Sequence, residues 1–151
     1  DDQICIEMAD VVEIEKRGTD IFIDTGSPHH IVFVDEVSFV DVKLKGAAIR
    51  YSAPYFEAGS NVNFVEKVNE NEFNIRTYER GVEDETLACG TGAVAAAIAV
   101  HFSELTPSNV VNINALGGRL QVSFTPDSGQ YKNIQLIGPA VFVFSGNLNT
   151  E

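Results

Sequence analysis

The sequence predicts an α+β fold in which a curved, mostly antiparallel sheet wraps around one buried helix. Three observations predict it. From Gly90 the chain reads Gly-Thr-Gly-Ala-Val-Ala-Ala-Ala-Ile-Ala-Val-His-Phe, with no charge until Glu104, and a helix without a polar face has to be covered on every side. Around it lie many short stretches of alternating or continuously apolar residues, separated by Gly, Pro and Asp turns, which is how strands read. At 151 residues the chain can bury a real core, and it suits one domain or one lobe of something larger.

The elements follow in order. Val11–Arg17 and Ile21–Asp24 alternate around Gly18-Thr19-Asp20 and predict a hairpin. Thr25-Gly26-Ser27-Pro28 makes a turn, and the strand resumes over His30–Val34. Asp41 caps a short helix that carries Leu44, Ala48 and Tyr51 on one face, ended by Pro54 and Gly59. Strands come next at Val62–Val68 and Phe73–Tyr78, then the Ala-rich helix to about Phe102. Val110–Ala115 and Arg119–Phe124 flank Gly117-Gly118, a second hairpin signal. Ile134–Ile137 and Ala140–Phe144 complete the set on either side of Gly138-Pro139.

Composition narrows the function classes. Twenty-two acidic against ten basic residues give a net charge of −12, and the basic residues are scattered, so no stripe exists for a phosphate backbone and nucleic-acid binding is not expected. No apolar run is long enough to span a bilayer. Cys5 and Cys89 are the two cysteines; nothing else resembles a secreted disulfide framework, so they read as free thiols in a reducing, cytoplasmic setting. Cys5 is expected in the core as a small packed residue. The chain opens at Asp1-Asp2 without an initiator methionine, which leaves an upstream segment open.

The segment Arg76–Gly92 carries the chemistry. It runs polar and charged, then delivers Cys89 to the start of the Ala-rich helix. Helix starts gather unpaired N–H groups and the positive end of the macrodipole. A thiol there has its reactive thiolate form stabilised, and the same N–H groups can receive a carboxylate. Gly90-Thr91-Gly92-Ala93-Val94-Ala95 also satisfies the G-x-G-x-x-A dinucleotide pattern. It follows the acidic loop Glu83–Thr86 instead of an apolar strand, and no alternating β-α pattern succeeds it, so that reading is rejected. A zinc site built from two adjacent histidines and Cys89 fails as well, because neighbouring strand residues His29 and His30 point to opposite faces. His101, late in the helix, reads as packed or frayed instead of catalytic.

Three segments in register then carry a resemblance. Asp24-Thr25-Gly26-Ser27-Pro28-His29-His30, Asn61-Val62-Asn63-Phe64 and Tyr78-Glu79-Arg80-Gly81, the last followed by Thr86-Leu87-Ala88-Cys89-Gly90-Thr91-Gly92, resemble diaminopimelate epimerases in that family's order. Gly117-Gly118-Arg119-Leu120 and Gly138-Pro139-Ala140 fit as well. The match covers nearly the whole chain but only the second half of that enzyme. The resemblance implies one of two similar lobes, each a barrel-like sheet around a central helix, with residues 1–151 forming the C-terminal lobe and the N-terminal lobe outside this chain. It implies interconversion of LL- and meso-diaminopimelate, on the way to lysine and peptidoglycan precursors, without pyridoxal phosphate or any other cofactor, using one cysteine from each lobe. The first-lobe cysteine sits in a Gly-Asn-Gly…Cys segment that does not occur here.

Carried over singly, Cys89 matches a catalytic cysteine, with the Gly90 and Thr91 N–H groups stabilising the substrate carboxylate as it becomes enolate-like. Glu79 matches a residue facing the α-ammonium, Arg80 one that clamps the distal carboxylate, Asn61 a substrate-binding asparagine, and His29 a histidine near the reacting carbon. Asn63 is read as shaping the turn. Ser27 stands where many members carry an asparagine, and its shorter hydroxyl reaches substrate through water. The implied partners are an amino-acid substrate and the missing lobe; a homodimer is left open. Other readings are a related racemase or isomerase acting on another amino acid, a thiol hydrolase using Cys89 with His29, and a lobe that binds but turns nothing over.

Overall fold

A computed structural model describes residues 2–149. Ten strands and two α-helices occupy this span: β1 (Asp2–Glu7), β2 (Ile14–Arg17), β3 (Asp20–Asp24), β4 (Pro28–Phe33), α1 (Val42–Arg50), β5 (Asn61–Lys67), β6 (Glu72–Glu79), β7 (Asp84–Thr86), α2 (Gly90–Phe102), β8 (Val110–Ala115), β9 (Gly118–Asp127) and β10 (Gln130–Ala140). One sheet runs β1-β10-β9-β8-β6-β5-β4-β3-β2, with β7 paired to β6. Only β4–β5 and β6–β8 are parallel. Val11, just before β2, exchanges both backbone hydrogen bonds with Tyr131 of β10, at 2.9 and 2.8 Å. That bridge curls the sheet back on itself into a barrel-like wrap.

The space inside is filled by α2. Every residue from Gly92 to Val100 is buried, and the helix packs against strands on all sides of the curl, β3 to β6 and β8 to β10. Small side chains explain the fit: alanines let surrounding Ile31, Phe73, Ile113, Val122 and Ile134 close on the helix backbone. The predicted α+β wrap is therefore observed. At the far end His101 donates or accepts one hydrogen bond with the Tyr131 hydroxyl (2.8 Å) and stacks edge-on with Phe124, a packed histidine as expected.

Four expectations need correction. The helix α1 does start at Asp41, whose carboxylate accepts from the Leu44 N–H at 3.0 Å, but Leu44, Ala48 and Tyr51 face solvent. Its buried residues are Val42, Gly46 and Arg50. Gly46 lets the helix lie directly on Tyr78 of β6, a close approach that hydropathy does not register. Cys5 is exposed on β1, not packed in the core, because β1 is an edge strand hydrogen-bonded only to β10. The Glu83–Thr86 loop contains β7, held by β6. Finally, β10 passes through Gly138-Pro139 without a break and ends at Ala140; Val141–Asn149 have no regular structure. Gly138 faces Leu120 of β9 closely enough that a Cβ would meet it at 2.7 Å, so the glycine marks tight packing inside a strand instead of a turn.

Candidate active site

The site forms where β4, β5 and β6 meet the first turn of α2. In the parallel β4–β5 register His29 pairs with Asn61, and across β5–β6 Asn63 pairs with Thr77. Strand alternation puts Asn61 and Asn63 on one face, the face that meets α2. His30, one residue on from His29, turns the other way, to Asp20 (2.9 Å) and the Tyr55 hydroxyl (2.6 Å).

Cys89 is the N-cap residue of α2, extended at φ −132°, ψ 111°, and its side chain makes no cap hydrogen bond. The first intrahelical bond runs from the Ala93 N–H to the Cys89 carbonyl (2.9 Å). The N–H groups of Gly90, Thr91 and Gly92 thus have no partner among the described residues, and they point out of the helix mouth beside the half-buried sulfur. An uncapped helix start is an anion site waiting for a ligand.

Behind the sulfur runs a buried polar row. The Thr91 hydroxyl lies 3.5 Å from Cys89 Sγ and 2.9 Å from His29 Nε2. His29 Nδ1 faces the Asn63 Nδ2 at 3.0 Å, and the Thr77 hydroxyl donates to Asn63 Oδ1 at 2.9 Å. The Thr25 hydroxyl donates to the Thr91 carbonyl at 3.1 Å, fixing the turn. Burial, and then the nearby positive charge of Arg80, lower the His29 pKa to about 3. The imidazole is neutral and fully enclosed, and it reaches the thiol only through Thr91.

The opposite rim carries charge. Asn61, buried, donates to the Ser27 hydroxyl (2.9 Å) and the Pro28 carbonyl (3.0 Å), and accepts from the Arg80 N–H (2.8 Å). One carboxamide therefore ties Ser27 to the Arg80 backbone. The Arg80 side chain is exposed and donates to the Ala58 carbonyl at 2.8 Å. It meets no carboxylate among the described residues, and half-buried Glu79 makes no side-chain hydrogen bond there either. The loop behind them is anchored by Glu83, in a left-handed conformation at φ 59°. Burial pushes the Glu83 carboxyl up, but the Gly81 N–H, the Tyr78 hydroxyl and Arg50 outweigh it and hold it below the usual range. That same environment raises the Tyr78 pKa to about 12, through burial first and then Glu83.

The structure thus groups Cys89, Gly90, Thr91 and His29 at the helix mouth, and Ser27, Asn61 and Arg80 in a second cluster. Asn63 is corrected: it belongs to β5 and is the buried partner of His29, not a turn former. Thr77 and Thr25 were missed; the i, i+2 spacing of Asn61 and Asn63 was the available signal. The mapped cavities, of about 600, 470, 190 and 190 Å³, lie elsewhere, and none is lined by Cys89, Glu79 or Arg80.

Comparison with known proteins decides the family. Residues 21–143 match the family model described as diaminopimelate epimerase. This chain belongs to the diaminopimelate epimerase family. It is 52% identical over 143 residues to the diaminopimelate epimerase of Flavobacterium psychrophilum, covering 95% of this chain and 56% of that one. The Aquifex aeolicus diaminopimelate epimerase is 44% identical over 132 residues, covering 87% and 46%. The chain therefore spans about half the length of the curated relatives it matches. Among solved structures, a probable proline racemase of Agrobacterium radiobacter aligns with a TM-score of 0.60 at 15% identity, covering 89% of this chain and 49% of the other. A hydroxyproline epimerase of Agrobacterium vitis aligns at 0.55 and 13% identity, covering 87% and 41%. These two show a shared fold. No helix among the described residues is long and apolar enough to cross a membrane.

Proposed function

We propose that this chain is the C-terminal lobe of a two-lobed enzyme that epimerises diaminopimelate at one α-carbon without a cofactor, in a reducing cytoplasmic compartment. The observation that carries the reading is the Cys89 sulfur at an uncapped helix mouth beside three unused N–H groups. Inversion needs a base on one face of the carbon and an acid on the other. A single sulfur cannot stand on both faces, so Cys89 serves one and a cysteine of the other lobe serves the second. Such a group is worth roughly 10²–10⁴-fold in rate.

The substrate α-carboxylate sits against the Gly90 and Thr91 N–H groups. As the α-proton leaves, charge moves onto that carboxylate, and donors already aimed there stabilise it without reorganising. Glu79, without an internal partner, receives the α-ammonium. Arg80 binds the distal carboxylate, exchanging its weak carbonyl contact for a bidentate one. Asn61 and Ser27 place Arg80 and complete the contact set. His29, neutral and buried, acts on Cys89 through Thr91 and transfers no proton to or from the substrate itself.

The hydrolase reading is disfavoured by the same geometry. A cysteine–histidine dyad needs the imidazole on the sulfur, whereas here the Thr91 hydroxyl stands between them. The test is incubation of the full-length protein with diaminopimelate in deuterated water. Deuterium at the α-carbon with no fragment released is the expected result; cleavage, or no exchange with active Cys89, overturns it. Exchange on proline instead of diaminopimelate would favour a racemase of another amino acid.

A further inference from the structure

We propose that Thr77, Asn63 and Thr91 are positioning residues that aim a single hydroxyl proton at Cys89: Asn63 holds His29 as its Nε2–H tautomer, and His29 turns the Thr91 hydroxyl toward the sulfur. The inference deepens the reading of Cys89 as a proton-transfer group and rests on it for its purpose, though its geometry stands alone.

The direction follows from counting donors. The Thr77 hydroxyl donates to Asn63 Oδ1 at 2.9 Å, which leaves the Asn63 amide nitrogen facing His29 Nδ1 at 3.0 Å. An amide nitrogen only donates, so Nδ1 has to be bare and the ring proton sits on Nε2. That N–H donates to Thr91 Oγ1 at 2.9 Å. A hydroxyl has one proton and two lone pairs; with His29 donating to one lone pair, the proton is free to point at Cys89 Sγ, 3.5 Å away. Each link thus presents its donor toward the sulfur. A thiolate accepts that proton in a charge-assisted bond; the sulfur of a neutral thiol is only a weak acceptor and gains little from it.

Two features keep the row in this sense. Protonating the ring would set an Nδ1–H against the Asn63 N–H groups, in a fully enclosed place with Arg80 close by; accordingly its pKa is lowered to about 3. The charged groups at this end of the sheet are Arg80 and Glu79, at the end of β6, and Asp24, at the end of β3 beside Pro28, whose carboxylate accepts from the Gly26 N–H at 2.8 Å; His30, on the reverse face of β4, pairs with Asp20. The second feature is Gly92. A Cβ there would lie 2.5 Å from Asn63 Oδ1 and 3.3 Å from Cys89 Sγ, so only glycine lets the helix mouth close over the asparagine.

Two readouts that need no turnover test this in the full-length protein. ¹⁵N NMR of histidine-labelled wild type is expected to show His29 bare at Nδ1 and protonated at Nε2 down to about pH 5. Alkylation by iodoacetamide, followed on the Cys89 peptide by mass spectrometry so that Cys5 does not contribute, reads the sulfur. Thr91→Val is expected to move its pH profile upward and slow alkylation near neutral pH roughly tenfold, the loss of one charge-assisted hydrogen bond. Thr91→Ser is expected to keep the wild-type profile, and Thr77→Val to bring a second His29 tautomer into the spectrum. An Nδ1–H tautomer in wild type, or a Thr91→Val profile that overlays wild type, overturns the proposal. If these results hold while diaminopimelate shows no α-proton exchange, the row stands and the substrate reading falls; if exchange is present and Thr91→Val changes nothing, the row alone falls.

Discussion

Cys89 occupies a cap position and does no capping, and the proposal of a reactive thiol rests on that. Had its sulfur closed the helix start, the N–H groups of Gly90–Gly92 would have had a partner of their own. In the full-length protein Cys89→Ala is expected to abolish α-proton exchange, and Cys89→Ser to lower it by roughly 10²–10⁴-fold, since a hydroxyl is the poorer base; deuterium incorporation measures both. His29 gives a second, independent expectation. Its native pKa of about 3 lies below the ordinary value near 6.5. Between those values the unfolded chain binds a proton that the native chain does not, so stability falls as pH drops from about 6.5 toward 3. The maximum slope is about 1.4 kcal/mol per pH unit. Urea midpoints recorded across that window are expected to fall less steeply for His29→Gln; equal slopes would rule out a neutral buried imidazole.

The two helices show opposite uses of small residues. In α2 they allow a rod to be enclosed by seven strands, and in α1 a single glycine sets how close the helix rides on the sheet. At Gly46 two effects compete. Alanine is favoured over glycine in a helix interior by about 1 kcal/mol, but its Cβ would meet the Tyr78 side-chain root, which is fixed by β6, and overpacking costs about 1–3 kcal/mol. The clash wins because Tyr78 is buried and tied to Glu83 at 3.1 Å. Gly46→Ala is therefore expected to lower the urea unfolding free energy by about 1–2 kcal/mol, and a neutral or stabilising result would show that α1 can lift away freely. Because Tyr78 precedes Glu79 and Arg80, the same change is expected to raise KM more than it lowers kcat.

Cys89 and Glu79 are half-buried and Arg80 is exposed, and the chain spans about half the length of the curated relatives it matches. Large apolar side chains stand exposed as well: Ile4 and Ile6 on β1, and Phe142 and Phe144 beyond β10, both about 80% exposed. Exposed apolar side chains of this size are where the proposed second lobe is expected to dock. The polypeptide of residues 1–151 is expected to show no measurable epimerisation of diaminopimelate and to bind a hydrophobic dye, both reversed in the full-length protein. Turnover by the isolated polypeptide would show that one lobe suffices.

Local chemistry in the sequence determined a good deal of this protein. The uniform apolarity of Gly90–Phe102 required burial, alternation placed most strands, and Cys89 ahead of Gly90-Thr91-Gly92 marked the start of the buried helix, because these depend on neighbours within a few residues. The pairing partners did not. That β4 runs parallel to β5, bringing His29 beside Asn61, and that Asn63 rather than a charged group backs the histidine, depends on register between segments some thirty residues apart. The buried face of α1 was misread for a similar reason: Gly46 and Arg50 face inward through close backbone approach and an ion pair to Glu83, neither of which hydropathy measures. Only the tertiary structure decided which polar groups stand behind the thiol, at 2.9–3.5 Å from one another, since hydrogen-bond partners are a property of atoms brought together in space.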